Sequence, residues 1–162
     1  MKTKKLIRNI LISLGLLGVI VFFAQKSSST PPPPQAGGAL VALASSYDFG
    51  RISMGRGNVS YTFAVKNTGT EAVRLTKLYT SCMCTTASLI LDGKTGPFGM
   101  PGHGFVPSFD KTLAPGATAN VEVVFDPAAH GPAGVGGIRR TVFLEHSAGG
   151  PVELNFEAFV TP

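Results

Sequence analysis

The chain has 162 residues, 44% of them hydrophobic, a formal charge of +5, two cysteines and no tryptophan. Its basic excess lies at one end: Lys2, Lys4, Lys5, Arg8 and Lys26 flank a single apolar run, and from residue 35 onward nine basic residues balance nine acids. The charge therefore records topology at a membrane and excludes nucleic acid as a partner.

Residues 1–9 are basic and free of acids, and the uncharged run ILISLGLLGVIVFFA follows. Counted from Leu6, the mainly apolar stretch has 19 residues. As a helix it would cover roughly 28 Å, the depth of a bilayer core. A cut after Ala24 would put bulky Phe22 at the −3 position, and no cysteine follows the run to take a lipid. The expectation is an uncleaved signal anchor over residues 10–25, a single-pass transmembrane helix with its N-terminus in the cytoplasm and the rest extracytoplasmic. Residues 26–38 are rich in Ser, Pro and Gly. They cannot build a core and read as an extended stalk.

Residues 39–162 suffice for one domain around one core. Helical periodicity is absent, and short alternating runs broken by Gly, Pro, Asn and Asp recur. VALASSYDFG reads as a first strand that pairs loosely into RISMG. In NVSYTFAVKN, Val59, Tyr61, Phe63 and Val65 share a face, and in VRLTKLYT, Val73, Leu75 and Leu78 point inward. TTASLIL follows, and residues 92–112 read as an inserted loop. LAPG turns the chain into ATANVEVVFDP, where Val121, Val123 and Phe125 alternate. IRRTVFLEH and VELNFEAFVT close the sheet across SAGGP. About seven strands in two antiparallel sheets predict an all-β, immunoglobulin-like sandwich.

Several fixed points recur along this pattern: Phe49-Gly50, Asn67 with Gly69, the run SCMCT at residues 81–85, Pro115-Gly116, and FDP at residues 125–127. Through them, residues 47–91 and 113–160 resemble the bacterial family known as domain of unknown function 1573. The resemblance implies an immunoglobulin-like fold and export, and it brings no established activity. Met83 stands where that family commonly has glycine, and the stretch DGKTGPFGMPGHGFVPSFDKT is an addition. Both departures supply groups able to bind a metal.

Cys82 and Cys84 are two residues apart, which in a strand points both to one side with Cα atoms roughly 6.5 Å apart at about 3.3 Å per residue. A disulfide prefers roughly 5.5–6 Å, so a bridge here would be strained and easily reduced. Three readings stay open: a structural pair, a redox couple, or two ligands for one soft ion, Cu(I) before Zn(II). Counting strand directions brings His130 to the same pole as the cysteines and sends His146 to the opposite one. Met100 and His103 join the cluster only if the insertion reaches back along the sandwich. Of Arg139 and Arg140, one must point inward on an alternating strand, where it needs a carboxylate or several backbone carbonyls; Asp126 and Asp48 are the candidate carboxylates, and the reading is a structural brace.

No G-x-S-x-G, Walker-type loop or H-E-x-x-H occurs, so no enzyme is expected. The first reading is a membrane-anchored, non-catalytic module that binds or scaffolds an extracytoplasmic protein and requires no cofactor. The alternative is a copper-handling protein that holds Cu(I) through Cys82 and Cys84 with help from His130, Met100 or His103.

Overall fold

Each alternating run becomes a strand, and three short strands join them. The structure is a computed structural model that describes residues 39–162. Its strands are β1 (Leu40–Ala42), β2 (Ser46–Ser53), β3 (Val59–Asn67), β4 (Val73–Thr80), β5 (Thr85–Ile90), β6 (Lys94–Phe98), β7 (Lys111–Leu113), β8 (Thr118–Phe125), β9 (Gly136–His146) and β10 (Val152–Thr161). The expected cytoplasmic end, signal anchor and stalk lie outside the described residues. Among the described residues no helix is long and apolar enough to cross a membrane.

The strands form two five-stranded sheets, ordered β1-β3-β8-β5-β6 and β2-β10-β9-β4-β7. The all-β sandwich is as expected, and the strand count is corrected from about seven to ten. The difference has two physical sources. The first run does not fold back on itself: it crosses from one sheet to the other over residues 43–45, giving β1 and β2. Because it crosses without reversing, β2 lies parallel to β10, from Asn155↔Ser46 to Thr161↔Ser53, so the expected all-antiparallel pairing fails at that edge. The second source is the insertion, which contains β6 and delivers β7 instead of forming one open loop. Gly96 makes β6 possible. At φ +123°, a Cβ there would lie 3.0 Å from the Ala87 carbonyl oxygen and 3.1 Å from Ser88 Cα, so only glycine lets β6 press onto β5.

The core lies between the sheets. Phe63, Val65, Val121, Val123 and Phe125 face Leu75, Leu78, Val142, Leu144, Leu154 and Phe156, all essentially without exposure. These are the alternate positions of β3, β8, β4, β9 and β10, as the period of two requires. β4 breaks its alternation at a register shift between Leu75 and Lys77, which is how Leu78 comes to share the inward face of Leu75.

Strand directions gather the connections at two poles. One pole collects a 3-10 turn at Met54–Arg56, the residues joining β4 to β5, the chain after β6, and the segment from Asp126 to Val135 with its 3-10 turn at Gly131–Gly134. At the other pole, Asn67 ends β3 and His146 pairs with Leu75 at the end of β9, as strand counting predicts for His146.

Candidate metal centre

Residues 81–84 make a tight turn between β4 and β5, held by backbone and hydroxyl hydrogen bonds. Ser81 N donates to the Thr141 carbonyl at 2.9 Å, and Thr141 N donates to Ser81 Oγ at 2.9 Å. Thr85 N donates to the Cys82 carbonyl at 3.2 Å, and Asp126 N donates to the Cys84 carbonyl at 2.9 Å. Thr80, fully buried, places its hydroxyl 2.9 Å from the Cys82 carbonyl and 3.0 Å from the Thr85 carbonyl. The turn is therefore tied to both sheets. It is not an extended strand end, so the strand geometry expected for the two cysteines does not apply.

Cys84 Sγ lies 2.7 Å from Cys82 Sγ, and His130 Nε2 lies 3.2 Å from Cys82 Sγ. The three ligand atoms lie within 4.8 Å of one another. His130 reaches the cysteines because β8 runs down to this pole and the Asp126 side chain turns the chain there, accepting from Ala128 N at 2.8 Å. Gly134 seats the His130 loop. A Cβ on it would lie 3.2 Å from His130 Cβ, 3.5 Å from Met54 Cε and 3.6 Å from the Pro127 carbonyl oxygen. Met54, which nothing in the sequence pattern singles out, thus walls one side of the loop that carries His130.

The two arginines separate as alternation demands. Arg139 points out and pairs with Glu157 at 2.9 Å, an exposed contact of little energetic weight. Arg140 occupies the inward row of β9, two residues before Val142. The expected carboxylate partners are corrected here. Asp126 serves its own loop, Asp48 accepts from Gly50 N at 2.7 Å, and Arg140 Nε donates to Cys84 Sγ at 3.4 Å while Nη1 donates to the Arg139 carbonyl at 2.8 Å. Arg140 is the site residue that sequence reasoning misread. That one of the pair turns inward was legible; which one, and that a sulfur would receive its charge, were not.

Met100 and His103 separate in the same way. The insertion leaves from the far pole, but β6 pairs Phe98 with Ala87 and Thr80 N donates to the Gly99 carbonyl at 3.1 Å. Met100, half-buried, therefore returns to the cysteine pole. His103 is exposed, its N–H donating to the Met100 carbonyl at 3.1 Å, and it lies outside the three-ligand cluster.

The thiols differ in acidity. Burial works to raise the Cys82 thiol, but the hydrogen bonds from the Cys84 thiol and backbone and from His130, together with the Arg140 charge, outweigh it and bring Cys82 down to about 7. Burial pushes Cys84 up, and its hydrogen bond to Cys82 pushes it further, against the pull of Arg140 and Thr85. The first thiolate thus forms at Cys82, and Cys84 keeps its proton to higher pH. Alkylation of the reduced, ion-free chain by iodoacetamide should rise with pH through a midpoint near 7 at Cys82, with Cys84 lagging. Unfolding should return both midpoints to the free-thiol range of about 8.5. A folded-state midpoint already in that range would show that His130 and Arg140 do not support the thiolate.

The sequence model of a family described as "Protein of unknown function (DUF1573)" matches residues 40–98. No curated protein matches the chain. Among solved structures, a protein of unknown function from Porphyromonas gingivalis W83 is similar at 13% identity over 83% of this chain and 51% of that one, with a TM-score of 0.55. The chain thus spans about half the length of that protein. The human CEP192 ASH/PapD-like domain 7 is 14% identical over 84% of this chain and 92% of that one, with a TM-score of 0.44. The CooA pilin subunit of enterotoxigenic Escherichia coli is 12% identical over 76% and 99%, with a TM-score of 0.41. At such identities the Porphyromonas likeness speaks for the fold alone.

Proposed function

Over residues 40–98 this chain belongs to the DUF1573 family, whose description names no activity, and from that premise we propose a non-catalytic, immunoglobulin-like module, tethered outside the cytoplasm by its N-terminal apolar run, that binds a soft metal ion of the Cu(I) kind. Cys82, Cys84 and His130 are the ligands. One observation carries the reading: three soft or borderline donors, two from the turn after β4 and one from the loop after β8, converge within 4.8 Å. Thiolates and an imidazole form the donor set that Cu(I) and Zn(II) accept and that hard cations decline.

The closeness of the two sulfurs supports the same reading. Two thiolates this close repel, so full deprotonation needs a cation in the proton's place, and a metal taking that place releases protons. Met100 at the same pole is a candidate fourth donor; His103 drops out of the ligand set.

The scaffolding role stands as a second reading, favoured by exposed apolar side chains on the segments of this pole: Met83 at 50%, Phe105 at 88% and Val135 at 44%. A protein partner could seat against such residues. The two readings part at the cysteines. Scaffolding tolerates serine at both positions, and metal binding does not.

The test is a Cu(I) competition titration against a chromogenic chelator, on the reduced full-length chain in mild detergent, with the Cys82→Ser/Cys84→Ser variant as control. One equivalent should bind to the wild-type chain and none to the variant. Equal retention of the ion by both proteins, or by neither, would sink the metal reading.

A further inference from the structure

The guanidinium of Arg140 is the least expected group at this pole. It is half-buried, it comes from the inward row of β9, and among the described residues it forms no ion pair with a carboxylate. Its Nε reaches the Cys84 sulfur at 3.4 Å. The other charged side chains on the connections of this pole do not offset it. Asp126 is committed to Ala128 N and lies outside the three-ligand cluster, and Arg56 is exposed at the end of its 3-10 turn. Among the described residues, the only anionic charge the guanidinium contacts is the one the thiols develop.

Charge balance then separates the candidate ions. Two thiolates, a neutral imidazole and a monovalent ion sum to −1, which the Arg140 charge cancels. The same ligands with a divalent ion sum to zero, and Arg140 leaves an excess of +1 in a half-buried place, where uncompensated charge is costly. We propose that Arg140 is the specificity-determining residue of the centre: by contacting Cys84 it sets a preference for a monovalent soft ion, Cu(I), over divalent Zn(II). This inference rests on the metal reading of Cys82, Cys84 and His130, and it gives Arg140 a role that neither packing nor an ion pair accounts for. Cys84 is the right sulfur for the contact. It is the buried one, at 3% exposure, so its charge is least screened by water.

The ratio of the two metal affinities isolates the effect, because the ion-free protein is common to both measurements and cancels. Arg140→Gln keeps a hydrogen-bond donor and removes the charge; Arg140→Lys keeps the charge. Cu(I) and Zn(II) affinities are measured on the reduced full-length chain in mild detergent, each against its own chromogenic chelator. In Arg140→Gln the Cu(I)-to-Zn(II) affinity ratio should fall by roughly ten- to a hundredfold, the scale of one unit charge acting across a contact in a partly screened site. In Arg140→Lys the ratio should stay within about threefold of wild type on the same scale. A change in Arg140→Gln that weakens both ions equally, or neither, would leave Arg140 a structural residue and overturn the proposal while the metal centre stands. Failure of the wild-type chain to bind either ion would overturn the centre itself and this inference with it.

Discussion

Replacing Asn67 with alanine should lower stability by about 3 kcal/mol or more, a fall in Tm of roughly 10 °C for a domain of this size. Asn67 is fully buried at the end of β3, and its side chain spends all its hydrogen-bonding capacity on backbone. Nδ2 donates to the Glu71 carbonyl at 2.7 Å and to the Leu113 carbonyl at 3.0 Å, while Oδ1 accepts from Gly69 N at 3.0 Å and Ala39 N at 3.4 Å. One amide therefore joins the turn between β3 and β4, the end of β7, and the start of the domain. Alanine would strand these backbone groups away from water. An unpaired buried group costs about 1–3 kcal/mol, and water entering the space offsets part of the sum. Asn67→Asp should cost nearly as much, since a carboxylate cannot donate to the two carbonyls and would be buried beside them. Thermal unfolding followed by circular dichroism checks both variants. A Tm within about 3 °C of wild type, a shift of at most about 1 kcal/mol, would show that the network is replaceable.

This residue also shows how far the sequence could be read. Asn67 and Gly69 stood out as a fixed turn, yet nothing in the spacing said that the asparagine side chain would reach Leu113, 46 positions away. The same division holds for the strands. β3, β4, β8, β9 and β10 were legible because one face of each lies on the core, so Val59, Tyr61, Phe63 and Val65, or Val121, Val123 and Phe125, had to alternate. β6 was hidden because KTGPF contains Gly96 and Pro97, residues that argue against a strand; at the sheet's edge, beside β5 alone, the chain accommodates them. The break between β1 and β2 was equally hidden. Switching sheets over residues 43–45 answers to the second sheet's need for a partner to β10, which no local pattern encodes. At the candidate metal centre, strand directions alone brought His130 to the cysteines. Arg140 required knowing that its row ended at Cys84, and Met54 carried no signal at all.

The largest effect on the centre itself should come from single cysteine changes. Cys82→Ser and Cys84→Ser should each weaken Cu(I) binding by a thousandfold or more, whereas His130→Ala should cost roughly ten- to a hundredfold. The order follows from softness and placement. A hydroxyl is a hard donor that stays protonated at neutral pH, so either serine removes both the charge and the polarisable atom on which a Cu(I) bond depends. His130 is exposed, and it approaches Cys82 alone at 3.2 Å, so a water or the Met100 thioether at the same pole can take part of its role. The two serine variants should differ in a second respect. Cys82 is half-exposed and Cys84 is buried, so only Cys84→Ser should also change packing, through the contacts of Cys84 with Arg140 and Thr85. Melting curves taken beside the Cu(I) titrations separate the effects. Cys82→Ser should lose the ion and keep its Tm, which marks a ligand and not a core residue. A Cys82→Ser protein that binds Cu(I) within tenfold of wild type would mean that the sulfurs do not act as a pair, and the centre would reduce to Cys84 with a histidine beside it.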